Sequence, residues 1–138
     1  VHERFSENTA DRFMKDIDVL VDCVDNYDTR VIMARTAHKF SKPMVHGAVS
    51  DFLGTVAVFD SRKGPCFGCL YAENPSTGLI PVFGALPGLV GSIQAVETIK
   101  IITGIGKTHY DKILLIDMER GCFHYSEIEK NKNCPICG

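Results

Sequence analysis

Four of the six cysteines in this 138-residue chain form two C-x-x-C pairs. The first pair is Cys66 and Cys69, and the second is Cys134 and Cys137, close to the last residue. A tetrahedral zinc ion takes four thiolates, and two such pairs can supply them because each tight turn directs two sulfurs at one centre. Four thiolates leave no position for water. We therefore predict a structural zinc site that ties the end of the chain to a larger fold.

C-x-x-C pairs have other uses, and the sequence leaves two of them open. Either pair could be a thioredoxin-like redox pair, although neither is expected to open a helix after a strand. Two disulfides in a secreted protein are the second alternative, but the first residues show no signal-peptide pattern and two single cysteines remain. These single cysteines, Cys23 and Cys122, are expected to be packing residues, with Cys23 buried.

A second candidate site is the polar run 22–26, which follows the first predicted strand. A carboxylate at such a strand end can hold a Mg²⁺ ion that bridges nucleotide phosphates, so Asp25 is a candidate. Asn26 can both donate and accept hydrogen bonds, and Arg30 follows one helical turn later. In the competing interpretation Asp25 or Asn26 only caps the next helix, with Asp28 supporting its first turn.

The spacing of apolar residues predicts the elements that would position these sites. Strands and helices alternate first and antiparallel strands come last, an order typical of an α/β fold with a mixed sheet. In the last helix, one apolar side is expected to face the core. The predicted helices are 7–15 (capped by Ser6), 27–40 and 86–103; the predicted strands are 18–22, 43–49, 54–60, 113–117 and 123–128; and the apolar side is Leu86, Leu89, Val90, Ile93, Val96 and Ile99.

The composition fits one domain over residues 1–138, with 45 % hydrophobic and 23 % charged residues. The net charge is −2 and no basic stripe is evident, so a nucleic-acid partner is not expected. Residues 74–96 carry no charge, but the three prolines there would break a membrane-spanning helix. We expect no membrane span and a cytoplasmic protein. His46 and His124 have no evident partner and are expected to be structural.

Five segments, in order along nearly the whole chain, resemble the MoeB/ThiF/HesA family of ubiquitin-activating-enzyme-like adenylyltransferases. They are residues 18–30, 42–48, 64–70, 91–104 and 133–138. The first contains Asp-Cys-Val-Asp-Asn, and the third and fifth contain the C-x-x-C pairs. Each segment alone is a weak signal, but the five together are specific.

This resemblance implies an enzyme that uses Mg²⁺ and ATP to adenylate the carboxyl-terminal glycine of a ubiquitin-like sulfur-carrier protein in thiamin or molybdopterin biosynthesis. It implies a Rossmann-like mixed sheet, the carboxyl-terminal part of a ThiF-type fold, and a homodimer. By the family pattern, Asp25 is the catalytic residue. Asp25, Asn26 and Arg30 form the cofactor-binding set. The structural zinc ligands are Cys66, Cys69, Cys134 and Cys137.

The sequence departs from the family pattern in two places. The Gly-x-Gly-Gly-x-Gly nucleotide loop is absent, and its backbone amides would be needed to approach the phosphates. We therefore do not expect this chain to bind ATP tightly alone; it is expected to be the carboxyl-terminal part of a longer enzyme, and a degenerate relative is the alternative. The loop 75–84 contains no cysteine, so the chain resembles the branch that stops at the adenylate. That loop is expected to line a groove for the carrier tail, and a plain flexible connector is the alternative.

The sequence leaves two other functions open besides the adenylyltransferase. One is a non-catalytic, zinc-stapled module that binds a ubiquitin-like partner. The other is a relative that dehydrates a modified tRNA base. The lack of a basic stripe in the sequence argues against this second function. If strands of the family's sheet are missing from this chain, the apolar segments 19–21 and 44–49 are expected to be exposed along a sheet edge, and the chain is expected to aggregate or to form a dimer that covers that edge.

Overall fold

The structure, a computed structural model, describes residues 2–71 and 81–138. Most of the loop 75–84, which is expected to line a groove for the carrier tail, therefore lies outside the described residues. The helices and strands agree with the predicted ones to within one or two residues at most ends. They are α1 (Glu7–Met14), β1 (Leu20–Asp22), α2 (Tyr27–Lys39), β2 (Met44–Ser50), β3 (Leu53–Phe59), α3 (Phe67–Leu70), α4 (Ala85–Thr103), β4 (Lys112–Asp117) and β5 (Cys122–Glu127).

Five strands form one sheet in the order β1-β2-β3-β4-β5. Strands β1 and β2 are parallel and joined through α2, whereas the remaining neighbours are antiparallel. The predicted mixed sheet is therefore confirmed. In the β1–β2 pairing, Asp22 lies directly opposite His46, a register that becomes important below.

Helices cover both faces of the sheet. On one face α1, α2 and α3 enclose a core that includes Met14, Met33, Phe59 and Phe67. On the other face α4 packs against β2 and β3, with Leu86 and Val90 buried on Val56 and Ile116. Successive residues of β3 serve the two faces alternately, as the pleat of a strand requires.

Helix α4 buries a narrower face than its apolar sequence predicts. Leu86, Leu89, Val90 and Ile93 pack toward the sheet, but Val96 and Ile99 are 55 % and 58 % exposed. At 100° per residue, Ile99 points away from the face that contains Leu86 and Val90. Gln94 is buried instead. The expectation for Val96 and Ile99 was therefore wrong.

Helix α4 is also long and apolar enough, by length and composition alone, to cross a membrane. The same test is passed by core helices of soluble proteins, and only 17 % of this helix's most apolar window is buried. In this structure its Leu86, Val90 and Gln94 are buried against the sheet.

Three burial predictions fail, each for a local reason. Cys23 is exposed because it follows the end of β1, where Asp22 occupies the buried side. Cys122 is exposed because β5 is an edge strand with all six residues exposed. The segments 19–21 and 44–49 were both expected to be exposed. Met44–Gly47 are buried, whereas Val21 in the first segment is 36 % exposed.

Candidate functional site

The segment between β1 and α2 presents Asp25 and Asn26 at the surface, beyond the carboxyl end of β1. Asn26 is the N-cap of α2, since its side-chain oxygen accepts a hydrogen bond from the Thr29 amide at 2.9 Å. The Asp25 carboxylate has one long contact, 3.4 Å from the Asn26 side-chain nitrogen. Capping is therefore the task of Asn26, and the Asp25 carboxylate is exposed and available to a ligand.

Directly behind this segment lies a buried carboxylate, that of Asp22. Its side chain is 0 % exposed, and burying a charge is costly unless partners compensate it. Here Oδ1 accepts the Val24 amide at 3.1 Å, and Oδ2 lies 2.6 Å from His46 Nδ1 and 3.2 Å from Arg30 Nε. Asp22 stands in the same polar run as Asp25, but the sequence alone does not indicate a role for it.

His46 is the partner of Asp22 that sequence reasoning did not find. Its ring is 1 % exposed and lies against the rings of Phe59, Phe67 and Tyr71, with centroids 5.4–5.9 Å apart. Burial lowers the pKa of His46, and the hydrogen bond to Asp22 acts against that. The neutral ring donates from Nδ1 to the carboxylate, and Nε2 has no partner among the described residues.

Arg30 turns inward, toward the backbone of this segment. Its Nη2 donates to the carbonyls of Val24, at 2.7 Å, and Gly47, at 3.3 Å, and its side chain is only 20 % exposed. Its guanidinium therefore contacts Asp22 and two carbonyls, behind the surface that carries Asp25 and Asn26.

From the opposite face of the sheet, Gln94 on α4 reaches the same strand end. Its Nε2 donates to the carbonyls of Asp22, at 2.8 Å, and Val45, at 3.2 Å. Gly47 makes this approach possible, because a Cβ atom there would overlap the Gln94 amide. A glutamine on the side of α4 that carries Leu86 and Val90 is the signal that could have revealed this contact.

The four paired cysteines come together as predicted. The sulfurs of Cys66, Cys69, Cys134 and Cys137 all lie within 4.8 Å of one another. Three of the separations are 3.9, 3.4 and 3.6 Å. Zinc–sulfur bonds of about 2.3 Å in a tetrahedron place sulfurs about 3.8 Å apart, close to these separations, so the cluster could hold such an ion. The sulfurs are too far apart to be joined as disulfides.

The protein surroundings of these sulfurs favour a thiolate at Cys134 and disfavour one at Cys66. Burial raises the pKa of the Cys66 thiol, and the neighbouring sulfurs raise it further. Burial also raises the pKa of Cys134, but hydrogen bonds from the Cys137 and Ile136 amides outweigh it and bring that pKa to about 7. Cys66 is the N-cap of the one-turn helix α3, so the expectation that neither pair opens a helix was wrong. One of the two arguments against a redox pair at Cys66 and Cys69 therefore does not hold.

Comparisons with known proteins identify the class of this fold and site. The ThiF family matches residues 1–136, so the chain belongs to the ThiF family. The architecture resembles that of Escherichia coli MccB, crystallised with ATP, with a TM-score of 0.81 at 12 % identity over 100 % of this chain and 45 % of that one. At that identity the likeness concerns the fold.

Two curated relatives are similar in sequence. The sulfur carrier protein adenylyltransferase of Thermus thermophilus is 36 % identical over 98 % of this chain and 54 % of its own length. The SAMP-activating enzyme E1 of Haloferax volcanii is 34 % identical over 100 % of this chain and 53 % of its own length. The chain thus spans about half the length of these relatives. The family predicted from the five segments is confirmed.

Proposed function

We propose that this chain is the Asp25-bearing and cysteine-bearing part of an ATP-dependent adenylyltransferase. Its substrate is the carboxyl-terminal glycine of a ubiquitin-like sulfur-carrier protein in thiamin or molybdopterin biosynthesis. The carrier carboxylate attacks the α-phosphorus of ATP, a new C–O–P linkage forms, and the bond to the β-phosphate breaks to release pyrophosphate. The carrier then has an activated carboxyl group for a sulfur donor.

The observation that carries this proposal is the match to the ThiF family over residues 1–136. The names of the relatives from T. thermophilus and H. volcanii support an adenylyltransferase that acts on a small carrier. The position of Asp25, exposed at the carboxyl end of a parallel strand, is where ligands bind in open α/β sheets.

In the proposed mechanism Asp25 and Asn26 face the nucleotide. When bound, Mg²⁺ would neutralise charge on the phosphates as it develops. A carboxylate suits this ion, and Asp25 would hold it. The Asn26 amide nitrogen is left to donate, since its oxygen is already used by the Thr29 amide. Arg30 completes the set from behind, through the backbone contacts described above.

We also propose that the four cysteines hold one structural zinc ion. Their spacing supports this, and a closed four-thiolate site supplies no water for chemistry. A homodimer is proposed as well, because the outer side of α4 exposes Val96, Ile99 and Ile102, more apolar surface than a lone helix face usually leaves to water. A cytoplasmic location, with no nucleic-acid partner, remains part of the prediction.

The test measures carrier-dependent exchange of labelled pyrophosphate into ATP, in the full-length protein that carries this chain. Carriers ending in Gly-Gly are compared with versions that lack these glycines. Asp25→Asn is expected to lower the exchange rate about 100-fold or more, because it removes the carboxylate that holds the metal. Asp28→Asn, an exposed neighbour in the first turn of α2, is the matched control and should retain most activity.

The same assay distinguishes the proposed enzyme from a non-catalytic binding module. If the protein binds a carrier but exchanges no pyrophosphate with any carrier, the module is the correct interpretation. If exchange occurs and Asp25→Asn leaves it unchanged, the enzyme stands and the role of Asp25 is wrong.

A further inference from the structure

Val24, the residue immediately before Asp25, has both of its backbone polar atoms hydrogen-bonded to side chains, the buried Asp22 and the partly buried Arg30. Its amide donates to Asp22 Oδ1 at 3.1 Å, and its carbonyl accepts from Arg30 Nη2 at 2.7 Å. On the other side of Asp25, the Asn26 side chain is committed to the Thr29 amide. Asp25 is therefore an exposed side chain on a backbone that is held at the residues before and after it.

The side chains that hold Val24 are themselves fixed. Asp22 Oδ2 lies 2.6 Å from His46 Nδ1 and 3.2 Å from Arg30 Nε, and Arg30 also donates to the Gly47 carbonyl at 3.3 Å. These contacts connect α2, β1 and β2, with Gln94 holding the Asp22 carbonyl from the opposite face. Among the described residues the Asp25 carboxylate has one contact, at 3.4 Å, so its direction depends on this backbone.

We propose that Arg30 is a positioning residue for Asp25, acting through Val24 and Asp22 rather than by contact with the nucleotide. The inference rests on the proposed function, because it concerns the orientation of the Asp25 side chain in the adenylation reaction. The guanidinium is suited to the task. Its Nη2 donates to the Val24 and Gly47 carbonyls while its Nε lies 3.2 Å from Asp22 Oδ2 in an ion pair, whereas a lysine ammonium is a single point of charge.

The test uses the full-length protein and a double-mutant cycle. Arg30→Lys and Arg30→Met are each made in the wild type and in the Asp25→Asn background. Misplacing a catalytic group by about 1 Å can cost about 100-fold in rate, so each Arg30 variant is expected to lower kcat for carrier-dependent pyrophosphate exchange about 10- to 100-fold. In the Asp25→Asn background the same changes should cost less than about 3-fold, because the group they misplace is already gone.

Arg35→Met is the matched control, because Arg35 lies on the same helix with a 56 % exposed side chain and only a 3.9 Å contact to Glu7. It should change kcat less than about 2-fold. Hydrogen exchange of the backbone amides is measured in parallel. Arg30→Lys should speed exchange at residues 24–26 and leave the β2 and β3 amides protected, which separates local loosening from failure to fold.

Three results would overturn the inference. The first is a double variant whose fold-loss of kcat equals the product of the losses in the two single variants, since Arg30 would then act independently of Asp25. The second is an unchanged kcat in both Arg30 variants. The third is an Asp25→Asn protein with normal activity, which also removes Asp25 from the proposed function; in the first two cases the proposed function stands.

Discussion

At the residue scale, the buried pair of Asp22 and His46 should make folding stability depend on pH. Burial lowers the pKa of His46. The hydrogen bond to Asp22 raises that pKa and the charge of Arg30 lowers it further, and the Tyr71 ring packs beside the imidazole. Below the unfolded pKa of about 6.5, the unfolded chain binds a proton that the folded chain does not. The free energy of unfolding should therefore fall as the pH drops below about 6.5, by up to about 1.4 kcal/mol per pH unit, and level off below the lowered pKa.

The measurement is urea unfolding between pH 7.5 and 5 of the wild type and of His46→Asn, which keeps a donor for Asp22 but cannot titrate. His46→Asn should be less stable at pH 7.5 and show a shallower pH dependence. The control is His124→Asn on the exposed strand β5. Burial raises the pKa of Asp60, but hydrogen bonds from Arg62 outweigh it and keep that pKa below its ordinary value, outside this window. Equal slopes in all three proteins would contradict the prediction.

The residues also differ in how far the sequence could predict them. The clustering of the four paired cysteines was predictable because thiol identity and C-x-x-C spacing are local properties of the chain. The pairing of Asp22 with His46 was not, because it depends on the β1–β2 register, which joins residues far apart in sequence. The same holds for Arg30, whose partners Val24 and Gly47 lie on different elements.

At the element scale, the approach of α4 to β2 depends on Gly47 and Gln94. A Cβ atom at position 47 would overlap the Gln94 amide, which is buried and hydrogen-bonded and so cannot move away cheaply. Gly47→Ala should lower the free energy of unfolding by about 1–3 kcal/mol. Gln94→Ala should cost about 1–3 kcal/mol through the two carbonyls left unpaired. The double variant should lose clearly less than the sum, because the overlap disappears.

The control for this cycle is Gly91→Ala, at a position on α4 where an added Cβ meets nothing within 4 Å. It should be neutral or stabilising by up to about 1 kcal/mol, since alanine is the better helix former. Unfolding midpoints in urea, with unchanged m-values, give all four free energies. Strict additivity of Gly47→Ala and Gln94→Ala would refute the proposed contact.

The elements themselves were predictable because each has its own periodicity, whereas their environment was not. Helix α4 was placed to within one residue, yet its buried side was misjudged at Val96 and Ile99. An apolar side chain on a helix shows what could be buried. Which residues are buried depends on where the sheet lies, and here β2 and β3 contact the Leu86, Val90 and Gln94 side.

At the scale of the whole molecule, the cysteine cluster joins the end of the chain to α3. Cys134 and Cys137 reach Cys66 and Cys69 across a long stretch of sequence, and Ile136 lies against Gly68. A metal here closes a long loop, so its removal frees the unfolded chain and detaches the terminal segment from the core residue Phe67. By analogy with a covalent cross-link over such a loop, the loss should be about 2–4 kcal/mol.

Native mass spectrometry before and after treatment with a chelator tests this prediction, combined with thermal unfolding of the same samples. We expect one zinc ion per chain, and a lower melting temperature once it is removed. Cys134→Ser should reproduce the loss, whereas Cys122→Ser, on the exposed edge strand, should retain both metal and stability. The intact masses also report whether two copies associate. A chain that carries no metal, with its four paired cysteines free or oxidised and its stability indifferent to chelator, would mean that protein contacts alone hold the end of the chain in place.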